Sequence, residues 1–368
     1  MRPSIVVVGI HGHGAGHLEN ARRLDREGAI RLAGTVDLLP PAQAGIPHHA
    51  DLSDVLREQR PDIVVLCTPL HTHAALATAA LEGGCDILLE KPAVTSIAEF
   101  DAILATAEML GRRVQVGFQS MGSAAIETVT TVIESGAIGE VTGYSAVGSW
   151  SRPLSYWNRN DWAGRRSLDG VPVVDGVVTN PLAHAVQLAL ALAGAGRDGV
   201  RSIELDQFRA NRIEADDTSV IRIRTLEGLP VVCALTLCAP ERSEPYVTVT
   251  GTEGRIRMYY TLDLVQVESP AFADPVTTHH GRTDLLRNLV AARSGEARLL
   301  CPLDDLRAFT QVVDAVRASP DPHVIPEEQR DLVGEGDERR VVVADVQEWV
   351  VRAAEQGRTF TELGVPWA

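Results

Sequence analysis

Across the first third of the chain, short unbroken apolar runs alternate with stretches whose apolar residues recur every three to four positions. Ile5 to Val8, Ile30 to Val36, Ile63 to Cys67, Asp86 to Leu89 and Val114 to Gly117 read as strands. Leu18 to Glu27, Leu52 to Glu58, His73 to Leu81 and Ser96 to Leu110 read as the helices between them. Strands without polar alternation are buried on both faces, and crossover helices make such strands parallel. The pattern predicts an α/β fold over residues 1–120, a doubly wound parallel sheet of the Rossmann type.

After about residue 120 the rhythm changes. A helix from Ser123 to Ser135 leads into longer strands at Val141 to Val147, Ser202 to Arg209, Thr218 to Thr225, Pro230 to Leu237, Tyr246 to Gly251 and Arg255 to Tyr260. Hairpin-length turns such as Leu226-Glu227-Gly228 and Gly251 to Gly254 predict an open, mostly antiparallel or mixed sheet. One helix carries Ala183 to Ala193, and two more are expected at Leu303 to Ala318 and Val341 to Gln356. The acidic, proline-bearing stretch Asp321 to Glu338 reads as a surface linker. Residues 121–368 are thus expected to form an α+β domain that can hold a substrate.

At 368 residues and 45% hydrophobic, the chain has room for two cores. Its formal net charge of −15 disfavours nucleic acid and anionic membranes, which leaves a small molecule as the expected partner. No stretch reaches membrane-spanning length, and the first apolar run is too short for a signal peptide. Cys67, Cys85, Cys233, Cys238 and Cys301 are odd in number and contain no C-x-x-C pair. Reduced thiols in a cytoplasmic protein are expected.

The first strand empties into Gly9-Ile10-His11-Gly12-His13-Gly14-Ala15-Gly16-His17. A glycine-rich turn that opens a helix lets backbone N–H groups approach a pyrophosphate at the positive helix end. Gly9 and Gly14 keep the G-x-G-x-x-G spacing, while His11 stands at the middle glycine position with Gly12 directly after it. Gly9, His11, Gly12, His13 and Gly14 are the candidate pyrophosphate contacts, and Asp37, ending the second strand, is the candidate ribose ligand. A carboxylate there would repel a 2′-phosphate, which favours NAD over NADP. The alternative is a glycine-rich turn in a non-binding domain with Asp37 as a helix cap. His11, His13, His17, His48, His49, His71 and His73 follow no recognised zinc spacing, and no metal is expected.

Cys67-Thr68-Pro69 with His73, then an apolar strand ending in Glu90-Lys91-Pro92, then Val116-Gly117-Phe118 occur in an order and spacing that resembles the Gfo/Idh/MocA oxidoreductases. This is the family of glucose–fructose oxidoreductase and inositol dehydrogenase, and the resemblance runs over most of the chain. It implies an NAD(P)-dependent enzyme with Thr68, Pro69, His73 and Glu90 near the cofactor and Lys91 reaching both the nicotinamide and the substrate hydroxyl. An ammonium at that point can polarise a carbonyl or stabilise a developing alkoxide. It also implies that the domain of residues 121–368 serves oligomerisation, as dimers or tetramers through an exposed sheet face, and an uncovered sheet needs such cover in water.

The family's D-x-x-x-H pair has its counterpart in Asn180-Pro181-Leu182-Ala183-His184, read here as a helix start with both side chains on one face. The resemblance makes His184 the base that takes the hydroxyl proton, a task suited to an imidazole. Asn180 departs from the commoner Asp. A neutral amide orients its neighbours but does not stabilise an imidazolium, so either Lys91 does more of the acid–base work or Asp175 supplies the charge. The alternative is a helix-capping Asn and a satisfied core His. Gln119-Ser120-Met121-Gly122 replaces an Arg-Phe pair of many relatives, so substrate contacts there do not carry over.

The segment Trp150 to Arg166 holds three of the five tryptophans in a chain only 4% aromatic. Trp157, Arg159 and Trp162 join Lys91, Asn180 and His184 as candidate substrate contacts, because aromatic faces stack on sugar rings while Arg and Asn satisfy hydroxyls. Dimer packing or loop anchoring is the competing use of such aromatics. His279 to Asp284 either lines the same cleft or is a helix start capped at Thr283. The expected function is hydride transfer between a nicotinamide and a ring carbon of a sugar, cyclitol or polyol. Two other readings stay open: an NAD-dependent glycosidase working by transient oxidation and elimination, and a redox-silent NAD(H)-binding regulatory protein.

Overall fold

The computed structural model describes residues 2–41 and 45–368. The chain forms two compact units, one running to Gly122 and joined by Thr283–Leu306, the other made of Ser123–Arg282 and Arg307–Ala368.

In the first unit, β1 (Ser4–Val8), β2 (Arg31–Val36), β3 (His48–His49), β4 (Ile63–Leu66), β5 (Asp86–Leu89) and β6 (Val114–Val116) form one parallel sheet in the order β3-β2-β1-β4-β5-β6. Helices α1 (Gly14–Arg26), α2 (Leu52–Glu58), α3 (His73–Glu82) and α4 (Ile97–Leu110) make the crossovers. Every residue of β1, β4 and β5 is buried, as expected of strands covered on both faces. The strand order reverses between β1 and β4, where the carboxyl ends of a doubly wound sheet open a ligand crevice.

The expected boundary at residue 120 placed everything after it in a second domain, but residues 283–306 pack on the first unit. Leu285, Leu286 and Leu289 join the core built by Ile5, Val7, Leu18 and Val65. Arg293 bridges Asp62 and Asp86 at 2.7 Å each, and Gln115 bonds Asn288 and the Cys301 N–H. Buried polar side chains need such partners, so this segment completes the first unit although 160 residues separate it from the rest.

The second unit is a nine-stranded mixed sheet whose spatial order is 276–279, 264–268, 255–259, 246–251, 141–149, 230–236, 218–225, 200–209 and 323–324. Neighbours are antiparallel except 141–149 with 230–236 and 200–209 with 323–324. One face is covered by the helix Ala183–Leu192, an Ala/Leu-rich segment that is apolar nearly all round and correspondingly buried. Several elements differ from the sequence reading. Leu264–Glu268 and Val276–His279 are strands that it omitted, and the supposed linker contains His323–Val324 at the sheet edge and Arg330–Val333 in a hairpin with Arg340–Val343. Val341 begins no helix, because three consecutive valines favour a strand; the helix starts at Val346.

That helix also removes the physical ground for expecting an uncovered sheet face. Val346, Val350, Ala353 and Ala354 pack on Val147, Phe208, Val220, Val232 and Ala234, and Phe360 and Trp367 close the same cluster around Phe208. Beyond the helix the face continues with Thr248, Thr250, Arg255, Arg257 and Glu268, where Arg255 pairs with Glu268 and Arg257 lies over Tyr246. The chain therefore covers the centre of this face with its own C-terminal helix and presents polar groups on the rest. Among the described residues no helix is long and apolar enough to cross a membrane, and all five cysteines are free. Phe360→Ala, which empties a fully buried aromatic site, is expected to cost about 3–5 kcal/mol, read as a lowered urea midpoint.

Candidate functional site

At the end of β1 the backbone turns so sharply that only glycine fits. Gly9 has φ +78°, and a Cβ there would lie 2.2 Å from the Cys67 carbonyl oxygen. A Cβ on Gly14 would meet the Gly9 carbonyl oxygen at 1.9 Å, so α1 can approach the strand this closely only at a glycine. Gly12 has φ +57° with open space around its Cβ position. His11, which replaces the middle glycine of the motif, is not among the residues with positive φ, so a side chain is tolerated there. Its ring contacts the Leu39 carbonyl at 3.2 Å. Asp37 accepts the Ile10 N–H at 2.8 Å and the Leu39 N–H at 3.3 Å, which brings its carboxylate beside the turn. A helix N-terminus, a glycine cradle without side chains and an adjacent carboxylate fit a dinucleotide.

Beneath this turn lies a buried carboxylate. Glu90 is 5% exposed, and its Oε1 accepts His17 Nε2 at 2.8 Å and Gln119 Nε2 at 3.1 Å, with His13 Nε2 3.6 Å away. Its Oε2 accepts the Lys91 N–H at 3.0 Å. Burial pushes the Glu90 carboxyl up, but the hydrogen bond from His17, the nearby His13 and the charge of Lys91 outweigh it and leave the pKa well below the usual carboxylate range. The proximity of Glu90 raises the His13 pKa in return, against the opposing effects of burial and Lys91. His13, His17 and Glu90 bring ligand atoms within 4.8 Å of one another, and both imidazoles face the Glu90 carboxylate directly. Gly117 makes room for it, since a Cβ there would lie 2.5 Å from Glu90 Oε1. The sequence reading treated Gln119 only as a departure and gave Gly117 no task.

His73 does not line this turn. It is 2% exposed, and its ring nitrogens face the Thr68 carbonyl at 2.9 Å and the Pro92 and Ala93 carbonyls at 3.1 and 3.2 Å. It ties the Thr68-Pro69 turn to the Glu90-Lys91-Pro92 turn from below, while Thr68 Oγ1 pairs with Thr72 Oγ1 at 2.7 Å. Lys91 follows a fully buried strand, and the Lys91–Pro92 peptide bond is cis.

In the second unit, the helix starts at Ala183, so Asn180 lies in the preceding turn and not on the helix with His184. Asp175 explains why. This carboxylate, 3% exposed, accepts Asn180 Nδ2 at 2.5 Å, Arg159 Nη2 at 2.7 Å and the Gly164 N–H at 2.8 Å. Asp175 is thus committed to holding Asn180 and Arg159 together. Val174 beside it has φ +48°, a strained value for a β-branched residue, with the Thr179 hydroxyl donating to its carbonyl. The turn rests on Asp216, which a Cβ on Gly176 would strike at 1.8 Å. His184 stacks on Tyr260 with ring centres 6.3 Å apart and an interplanar angle of 26°.

The aromatic segment splits. Arg159 lies 3.9 Å from the Tyr156 ring centre and 4.7 Å from that of Trp162. Trp157 turns elsewhere and lines two adjoining cavities of about 630 and 760 Å³ with Asn158, Asn211, Arg212, Ile213 and Arg330. Asp284, not Thr283, caps the helix Leu285–Arg293 by accepting the Arg287 N–H, and His280 bonds Thr278. Tyr260 was missed because its neighbour His184 is distant in sequence, and Tyr156 because spacing does not tell which ring of a local aromatic turn faces Arg159.

Two outcomes test this geometry. Gly14→Ala is expected to weaken NADH binding at least about tenfold in a fluorescence titration, whereas Gly12→Ala pays only left-handed strain of about 1–2 kcal/mol. Burial pushes the Asp216 carboxyl up to about 6, so its stabilising contribution is complete below the ordinary value of 3.8 and is lost as pH rises through about 6. Asp216→Asn should remove that decline from the urea midpoint measured across this range.

Comparison with known proteins agrees with this architecture. Residues 4–118 match the oxidoreductase family with an NAD-binding Rossmann fold, and residues 126–257 match the GFO/IDH/MocA C-terminal domain. Inositol 2-dehydrogenase 1 of Saccharopolyspora erythraea is 34% identical over 119 residues, 32% of this chain and 35% of that protein. Levoglucosan dehydrogenase of Pseudarthrobacter phenanthrenivorans is 24% identical over 239 residues, 57% of this chain and 58% of that protein. The chain thus matches about a third of the length of the first relative and less than two thirds of the second. Among solved structures, the WlbA dehydrogenase of Bordetella pertussis, in complex with NADH and UDP-GlcNAcA, superposes with a TM-score of 0.70 at 21% identity, over 86% of this chain and 95% of its own. The two family matches together span about two thirds of the sequence, and the chain belongs to the GFO/IDH/MocA oxidoreductase family.

Proposed function

We propose that this protein is an NAD-dependent dehydrogenase or reductase that moves hydride between the nicotinamide and a ring carbon of a sugar, cyclitol or related polyol. The observation that carries the reading is the buried Glu90 carboxylate, which fixes the backbone of Lys91 directly below the glycine turn. Bound NAD would supply the hydride acceptor, and the protein groups do the rest. Gly9, His11, Gly12, His13 and Gly14 hold the pyrophosphate, Asp37 holds the ribose, and Thr68, Pro69 and Glu90 border the nicotinamide end. His73 positions the two turns.

Lys91 stabilises the oxygen of the reacting hydroxyl as it becomes a carbonyl, and His184 takes its proton. Asn180, held by Asp175 through its side-chain amide, orients the substrate. The negative charge of Asp175 is spent on Arg159, so the imidazolium formed at His184 relies on surroundings other than this carboxylate. NAD is preferred to NADP because an added 2′-phosphate would meet Asp37. The named relatives that act on inositol and levoglucosan support a polyhydroxylated ring as substrate.

A titration with NADH and NADPH, followed by energy transfer from tryptophan, is expected to show tighter NADH binding that Asp37→Ala weakens. Turnover of a sugar and polyol panel with NAD should form NADH in net amounts, where a glycosidase would cleave a glycoside without net NADH. Lys91→Ala and His184→Ala should each lower kcat/KM by about a hundredfold to ten-thousandfold with NADH affinity nearly unchanged. Equal turnover by wild type and Lys91→Ala would reject the reading.

A further inference from the structure

The segment after the strand 141–149 builds a row of alternating guanidinium and aromatic groups. Arg242 lies 4.6 Å from the Trp150 ring centre, and Arg152 lies 4.9 Å from Trp150 and 4.7 Å from Tyr156. Arg159 continues it between Tyr156 and Trp162. Three cations thus share one row. Only Arg159 has a carboxylate partner, Asp175, while among the described residues no carboxylate pairs with Arg152 or Arg242.

This arrangement carries an electrostatic cost. Burial disfavours the charged form of Arg152, and the neighbouring Arg242 and Arg159 charges add to that effect. The Nε of Arg152 and the indole N–H of Trp150 are buried without an acceptor, and a buried unpaired donor costs about 1–3 kcal/mol. The chain has a net charge of −15, yet among the described residues no carboxylate forms an ion pair with either arginine. Arg159 already donates to the Tyr156 carbonyl and to Asp175, and Arg152 bonds the Tyr156 side chain, so the donors left for a ligand are the Nε of Arg152, the indole N–H of Trp150 and the guanidinium of Arg242.

Both ends of the row reach the pair assigned above to the substrate. Arg159 shares Asp175 with Asn180. Glu244 and, more weakly, Arg242 both act on the Tyr260 hydroxyl, and Tyr260 stacks on His184; Glu244 is itself bonded by the Thr261 hydroxyl. That hydroxyl is itself buried without a partner.

We propose that Arg242, Arg152 and Arg159 form an anion cradle beside Asn180 and His184, and that the substrate is an acidic carbohydrate carrying a carboxylate or a phosphate. This rests on the dehydrogenase reading for the reaction, but the cradle itself is defined by charge and geometry in the second unit alone. An anionic oxygen there accepts the unpaired N–H groups and relieves the repulsion among the arginines. Guanidinium forks match both carboxylate and phosphate with two parallel hydrogen bonds.

Calorimetric titration of the full-length protein, with and without NADH, compares glucuronate, glucose 6-phosphate and glucose. At least one of the two anions is expected to bind about tenfold or more tightly than glucose and to weaken as salt rises. A preference for glucuronate identifies a carboxylate, and a preference for glucose 6-phosphate identifies a phosphate. Arg152→Gln and Arg242→Gln should each weaken the preferred anion about ten- to a hundredfold, the worth of a hydrogen bond to a charged group. Arg152→Lys should fall between, and glucose affinity and NADH binding should not move.

Glucose binding as tightly as both anions, no affinity for either anion, or anion affinity unchanged in both glutamine variants would overturn the cradle. If neutral polyols are oxidised while either of the first two results holds, the cradle fails and the dehydrogenase reading stands. If NADH does not bind, the dehydrogenase reading fails, and the anion titration without NADH still decides the cradle.

Discussion

A carboxylate taken out of water must have its lone pairs filled, and this constraint organises both halves of the chain. In the first unit the carboxylate is Glu90, held by His17, Gln119 and the Lys91 N–H. In the second it is Asp175, held by Asn180, Arg159 and the Gly164 N–H. Each gathers groups from distant parts of the sequence and fixes the backbone where a functional side chain leaves it. The strained Val174 beside Asp175 and the side-chain-free Gly117 against Glu90 are local concessions to these charges. Removing either acid would leave its donors unpaired, which is why their roles extend beyond one ion pair.

The substitution of Asn180 for an acid takes its meaning from Asp175. An aspartate at 180 would put two carboxylates within hydrogen-bonding distance, whereas an amide donates to Asp175. The charge has moved back five residues along the chain, where Arg159 neutralises it. The same arginine begins the row of stacked guanidinium groups, so polar groups that look like separate motifs in the sequence form one connected network.

The C-terminal helix Val346–Gln356 settles a different problem. A mixed sheet with one face packed on Ala183–Leu192 must hide its other apolar face, and the valines and alanines of the late helix do so without a second chain. Phe360 and Trp367 extend the same cover around Phe208. The outer strands need no such lid because threonine, arginine and glutamate occupy that face.

Hydrophobic periodicity by itself determined the parallel sheet, its helices and most of the antiparallel strands, because period and burial are local properties of a strand or a helix. Glycine spacing likewise determined the turn after β1, since a backbone that passes this close to its neighbour excludes any Cβ. What only the tertiary structure decided were the long-range partners. Residues 283–306 complete the first unit through Leu285, Leu289 and Arg293, and a valine run became the hairpin Arg340–Val343 once Arg330–Val333 lay beside it. The same holds for the site: the sequence named Asn180, His184 and Arg159, but Tyr260 came beside His184 through elements that meet in space, and Tyr156 rather than Trp157 came beside Arg159 through the folding of the local turn. Spacing along a chain records which faces are apolar. It does not record which buried charge will meet which donor across a sheet, and that pairing is set by packing.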